Sequence, residues 1–314
     1  MGDSMSTREH VLKAVYSLLK QGAFFAYLYS GYPCVRDFIL SRLGLAPIVV
    51  LCYHRIGGCG SLSKTPDQFR RDLDYLRQHY DCITLRELCA RLKTEVSCRR
   101  RAVVVTFDDG YRDNFTAAFP LLKAAKVPAT FFVNPGFVGS DRMFPHDNRS
   151  AAEAFWRFGL GVDYWKMSWD DLREIQSAGF EIGSHTINHV DLGKVETEVV
   201  KREVNDSLAI LNGELGQGPR SFAFPWGRPE NCPEYAVTLV KQAGYYGAVW
   251  GFDEVNSRRT DPFRVCRIDA GNGHVGGLEL RARIAGFSPS FLGLLLHRLH
   301  AIRNADFLPA GPVS

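Results

Sequence analysis

From about residue 47 onward, short apolar runs alternate with longer stretches in which apolar residues recur every three or four positions. The first pattern is that of buried strands, the second that of helices with one inward face. Residues 48–54, 102–107, 129–133, 221–224 and 246–250 read as strands, the first two almost wholly apolar and rich in β-branched residues. Residues 67–80, 85–92, 115–125, 197–215 and 232–243 read as helices, with Pro66 and Thr84 as start signals for the first two. In the helix over 197–215, Glu196, Glu198, Lys201, Arg202 and Glu203 are expected to form a solvated face. Strand and helix in alternation predict an α/β fold with a parallel sheet, and the length suits a barrel of such units. Residues 141–163 form a polar, aromatic-containing insertion suited to roofing a groove.

The chain ends differ in character. Residues 11–20 have helical periodicity, and 23–29 continue apolar and aromatic, with Gly22 interrupting. Lys13 and Lys20 keep the stretch below the length of a membrane-spanning helix. A basic, aromatic-rich amphipathic helix suits either peripheral membrane contact or packing on the barrel, and the tail at 291–300 repeats that choice. The expected organisation is a helical extension over 1–46, a main domain over 47–290 and a helical tail over 291–314.

Chemistry gathers where two strands end. The apolar run 102–107 closes on Asp108-Asp109-Gly110, and two adjacent carboxylates at such a position are costly unless a cation or proton compensates. Neighbouring side chains on an extended backbone diverge, so Asp109 can hold a metal while Asp108 faces elsewhere. After a second short apolar stretch come His185 and His189, whose spacing puts both imidazoles on one side of a helical turn. Singly, each motif is explained by turn chemistry or a surface pair. Together, one carboxylate and two imidazoles give a three-ligand site with an open position, the pattern of a catalytic metal.

Thr106-Phe107-Asp108-Asp109-Gly110 and His185-Thr186-Ile187-Asn188-His189 resemble the first two motifs of the polysaccharide deacetylases, family 4 carbohydrate esterases with the NodB homology domain. The surrounding segments 127–133 and 168–172 fit as well, and the resemblance covers roughly residues 47 to 290. It implies a distorted (β/α)7-type barrel in which Asp109, His185 and His189 hold a divalent ion, with Zn²⁺ expected, and Asp108 is the base. The implied substrate is an N-acetylated saccharide: poly-N-acetylglucosamine-like, peptidoglycan-like or lipid-linked. The segment 222–227 resembles the third motif, whose aromatic position, Trp226, is expected to offer its backbone N–H to the oxyanion. Ala223 stands where most of the family has an arginine. The bacterial poly-N-acetylglucosamine deacetylases also lack that arginine, and their catalytic histidine is permuted to the first strand. His54 occupies that place, whereas the only late candidates for the usual motif are Leu296-His297 and Leu299-His300.

A substitute for the arginine lies further on. Alternation over Phe263, Val265, Arg267 and Asp269 points Arg267 inward, either towards Asp108 or into a structural ion pair with Asp269 or Asp253. Two rivals to the deacetylase reading remain: a non-catalytic saccharide-binding relative, and a deacylase of another N-acyl sugar such as a formylated one.

Composition narrows the field. With 314 residues, 46% hydrophobic and 23% charged, the chain has material for a large core and is not a disordered type. A net charge of +4 does not point to nucleic acid, and the cluster Arg99-Arg100-Arg101 reads as a solvated loop. Eight cysteines without a Cys-x-x-Cys pair suit a reducing compartment, and Asp3 and Glu9 ahead of the first apolar stretch do not fit a secretory signal. The expected location is cytoplasmic, peripheral to the inner membrane if the terminal helices bind lipid. The glycines at 271, 273 and 276 read as a loop, not a dinucleotide site.

Overall fold

The computed structural model describes residues 7–57, 63–94, 101–144, 147, 165–252, 254–271 and 275–287. The chain forms two compact units, Cys34–Gly277 and a smaller one made of Met1–Pro33 with Leu278–Ser314. Ten strands are present among the described residues: β1 (Ile48–Tyr53), β2 (Arg55–Ile56), β3 (Ser63–Lys64), β4 (Asp81–Cys82), β5 (Ala102–Phe107), β6 (Ala129–Val133), β7 (Glu181–Ser184), β8 (Phe222–Ala223), β9 (Ala248–Phe252) and β10 (Val265–Asp269). The α-helices are α1 (Thr7–Tyr29), α2 (Tyr32–Arg42), α3 (Pro66–His79), α4 (Leu85–Lys93), α5 (Phe119–Ala125), α6 (Trp169–Ser177), α7 (Thr197–Leu215), α8 (Glu234–Ala243) and α9 (Gly277–Ile284).

Seven parallel strands close into a barrel in the order β1, β10, β9, β8, β7, β6, β5, with β5 returning to β1. β4 lies alongside the start of β5, and β2 and β3 pair separately. The ring is weakest at β8, which joins β7 through the single register pair Ser184↔Phe222 and ends just before Pro225, a residue with no N–H to donate. Because all seven strands run the same way, their C-terminal ends, and the residues that follow them, share one mouth.

Local chemistry explains the helices that surround the barrel. Thr65 accepts a hydrogen bond from the Gln68 backbone while the Gln68 side chain returns one to Thr65, and Ser168 and Asp171 do the same at the start of α6. Thr84 caps α4, whose Leu85, Leu88, Cys89 and Leu92 recur at helical spacing and are all buried. The residues leading into α5, Asn114–Ala118, form a π-turn.

The smaller unit holds α1 and most of α9. Lys20 pairs with Glu279 at 2.9 Å, Phe24 packs edge-on against Phe287, and the Tyr27 hydroxyl donates to the Ala285 carbonyl at 3.0 Å. α1 runs through Gly22 without a break, unlike the interruption expected there. A single glycine costs a helix only about 1 kcal/mol relative to alanine, too little to end one. No described helix is long and apolar enough to cross a membrane. Arg101, expected in a solvated cluster, is instead largely covered, paired with Asp37 at 2.6 Å and set over the Tyr80 ring. Arg99 and Arg100, most of the 141–163 insertion and the 291–314 tail lie outside the described residues.

Leu88 is fully buried between α4 and the barrel. Leu88→Ala is expected to cost about 2–5 kcal/mol, read as a lower urea midpoint with an unchanged slope.

Candidate active site

β5 is buried on both faces, and Asp108 extends its ladder by donating its N–H to the Tyr53 carbonyl at 2.9 Å. The chain then turns sharply: Asp109 has φ 71° and Gly110 φ 65°. Asp109 pays the steric cost that left-handed backbone imposes on a residue with a Cβ. At Gly110 a Cβ would lie 3.0 Å from Val133 Cγ1, so glycine is the residue that fits. The two carboxylates are therefore aimed by a left-handed turn, not by the alternation of an extended strand, and they converge. His185 Nε2 is 3.9 Å from Asp108 Oδ2 and 3.7 Å from Asp109 Oδ1.

Arg267 meets Asp108 directly, its Nη1 donating to Oδ1 at 2.7 Å with both side chains buried. Burial by itself would raise the Asp108 pKa, but the Arg267 guanidinium, with His185 and His54 nearby, holds it below the usual carboxylate value. The same contact keeps Arg267 charged against the pull of its own burial. Cys52 supports the other oxygen, its thiol donating to Asp108 Oδ2 at 3.5 Å. Burial pushes the Cys52 pKa well up, which keeps the thiol protonated and able to donate. Cys52, His54 and Asp108 thus form a second cluster of ligand-type atoms, here read as support for the carboxylate.

The two histidines do not sit on a helical turn. Residues 185–190 are a loop with Thr186 at φ 63° and His189 at φ 56°. The loop's hydrogen bonds go to distant side chains: Asn134 donates to the His185 and Thr186 carbonyls, and Glu203 accepts from the Ile187 and Asn188 amides. Four-residue spacing is equally compatible with either backbone, and these partners decide between them. Glu203, expected on a solvated face, is only 5% exposed.

His185 Nδ1 lies 2.8 Å from the Ala223 carbonyl, a geometry that assigns the proton to Nδ1 and the lone pair to Nε2. Burial lowers the His185 pKa to about 4, outweighing the nearby Asp108, so the ring is neutral near pH 7. His189 Nε2 is 3.3 Å from Asp109 Oδ1. Its ring is flanked by Phe144 at 5.0 Å and Trp226 at 5.3 Å between centroids. Phe144 in turn carries Lys166 Nζ 4.5 Å above its ring, with Tyr111 4.3 Å away on the same cation. Burial lowers the Lys166 pKa to about 8.

Asp109, His185 and His189 each bring one ligand atom within 4.8 Å of the others. A lone pair on His185 Nε2 facing carboxylate oxygen is repulsive unless a cation stands between them. Two imidazole nitrogens and one carboxylate are a donor set that zinc-type divalent ions accept, so the residues fit such an ion.

His54 follows β1, half-buried, with its carbonyl accepting from Asn114 Nδ2 at 2.7 Å. Trp226 follows β8 with φ 65° and remains 42% exposed beside His189. Ala223, which lacks the family's arginine, contributes its carbonyl instead. The residues missed from sequence are Cys52, Asn134 and Glu203. A signal for Glu203 was available, since it lies three after Val200 and four before Ser207 on the buried stripe of α7.

Comparison with known proteins agrees with this geometry. Residues 96–248 match the polysaccharide deacetylase family profile. The YxkH protein of Bacillus subtilis, which bears the polysaccharide deacetylase name, is 25% identical over 232 residues, 74% of each chain. The poly-beta-1,6-N-acetyl-D-glucosamine N-deacetylase of Staphylococcus aureus (strain N315) is 25% identical over 183 residues, 58% of this chain and 59% of that protein. The structure of IcaB from Ammonifex degensii superposes with TM-score 0.61 at 25% identity, covering 77% of this chain and 97% of that one. The Streptococcus pyogenes deacetylase PplD in complex with acetate shares the fold, with TM-score 0.61 at 21% identity and coverage of 76% and 99%. The chain thus matches the polysaccharide deacetylase family over residues 96–248 and is similar to proteins bearing that name over a larger share of its length.

Proposed function

We propose that this protein is a metal-dependent hydrolase that removes the N-acetyl group from an N-acetylated saccharide, with Zn²⁺ held by Asp109, His185 and His189. The observation that carries the reading is the Asp108 carboxylate, clamped by Arg267 at 2.7 Å and set beside those three ligand atoms. When bound, the ion supplies Lewis acidity to the acetamide carbonyl and to the attacking water. Asp108 takes the proton of that water, and Arg267 keeps its carboxylate charged and oriented for the task. The Trp226 backbone N–H donates to the developing oxyanion, as the family pattern implies. His54, at the end of β1, protonates the departing amine, because an amide anion is a very poor leaving group. The products are acetate and a free amino sugar unit.

A saccharide-binding role without catalysis was favoured only by the absent arginine at Ala223, and Arg267 supplies that charge from another strand. The same machinery would serve a different N-acyl group equally well. Release of acetate against formate from a panel of N-acylated oligosaccharides and lipid-linked sugars, with and without added zinc, separates those two readings.

Elemental analysis is expected to find about one divalent ion per chain, and His185→Ala should lose both ion and activity. A chain without stoichiometric metal after zinc reconstitution would sink the enzyme reading. Asp108→Asn should retain the ion while turnover falls by roughly 10² or more.

Arg267→Ala should reduce turnover with metal content unchanged, and it should also move the pH profile. In the native protein the guanidinium keeps Asp108 ionised below the usual carboxylate range. Without it, burial raises the pKa, so the acid limb of the rate profile should shift to higher pH. An unshifted limb would remove Arg267 from the base's support.

A further inference from the structure

We propose that Glu203 is a positioning residue for the metal-ligating loop, acting on the ion through the backbone between His185 and His189; this rests on the metal reading above. Glu203 belongs to α7, and its neighbours on the buried stripe, Val200, Val204, Ser207 and Leu211, tie that helix to the barrel. Ser207 adds a polar tie, accepting from the Ser184 hydroxyl at 2.8 Å directly before His185. The carboxylate thus sits on a rigid support, and its hydrogen bonds all point at the loop. Oε2 accepts the Ile187 N–H at 2.7 Å and the Asn188 N–H at 2.9 Å, while Oε1 accepts Asn188 Nδ2 at 2.9 Å.

The opposite side of the loop is held by its carbonyls. Asn134 Nδ2 takes the His185 and Thr186 carbonyls, and the Gly136 N–H takes that of Ile187 at 3.1 Å. A helical turn over these residues would need the His185 carbonyl for the His189 N–H, and Asn134 already occupies it. Donors gripped by Glu203 and acceptors gripped by Asn134 hold the segment in a bent loop with two left-handed residues, Thr186 and His189. That backbone is strained for residues with a Cβ, so it persists only while its surroundings impose it. With the amide grip removed, two backbone N–H groups lose their acceptors, and the loop is released to rotate His189 away from Asp109. Partners beyond the ligands that orient a metal site change its affinity by about 10–100-fold when deleted.

The test compares the full chain with Glu203→Ala, Glu203→Gln and, as a control on the exposed face of α7, Glu198→Ala. Zn²⁺ affinity is measured by competition with a chromophoric chelator, the absorption spectrum is recorded with Co²⁺ in place of Zn²⁺, and folding is followed by thermal unfolding of the metal-free chain. Glu203→Ala is expected to weaken Zn²⁺ binding by roughly 10–100-fold and to alter the Co²⁺ spectrum. Glu203→Gln, which keeps the volume and one acceptor, should lose less, and Glu198→Ala should match the native chain. If the alanine variant does not fold, the glutamine variant decides by the same readouts. Native affinity and an unchanged Co²⁺ spectrum in the folded Glu203 variants would overturn the proposal and leave the metal reading intact. Weakened binding that merely tracks lost thermal stability, with the Co²⁺ spectrum unchanged, would also overturn it. A native chain that takes up neither ion fails earlier, at the metal reading itself.

Discussion

Two carboxylates buried at the end of one strand are the constraint around which this site is organised. Placing Asp108 and Asp109 side by side without water is unfavourable by several kcal/mol per charge unless each finds compensation. The protein compensates them separately. Arg267 crosses from β10 to Asp108, and Asp109 is met by His189 and by His185, whose Nε2 lone pair calls for a cation. The contact between β1 and β10 in the closed ring makes the first pairing available, since β1 lies between β5 and β10. Were the barrel open at that seam, the guanidinium and the carboxylate would belong to opposite edges of a sheet.

Much of the barrel could be read along the chain because its strands are buried on both faces, and burial of that kind writes continuous apolar runs such as 102–107. Helix starts were legible for a different reason: Pro66 carries a φ already suited to a helix, and Thr84 acts on an amide only three residues away. Arg267 was legible because one charge interrupted an apolar face of period two. The loop carrying the histidines was not, since its conformation depends on Asn134 and Glu203, which are local to neither histidine. Cys52 was invisible for the same reason: it reaches Asp108 through the register that pairs Cys52 with Thr106. Charged neighbours on the same helix misled the reading of Glu203, although the apolar spacing around it carried the correct answer.

Backbone strain marks the site as clearly as its side chains do. Among the described residues, five that are not glycine adopt positive φ, and four of them are Asp109, Thr186, His189 and Trp226. The fifth, Lys126, ends α5 in the ordinary way for a helix terminus. Each of the four comes after a barrel strand, where a sharp change of direction must aim a side chain or an amide back over the mouth. The barrel supplies rigidity that such turns need, and the turns supply convergence that parallel strands alone do not provide.

Ala223 is a position that works through its main chain. Its carbonyl selects the tautomer of His185, a task that any residue able to hold the β8 backbone performs identically. The side chain there is therefore released from the chemistry, and the positive charge is housed two strands away on β10. A motif written as letters registers this as a loss, whereas in three dimensions the charge has only changed its address.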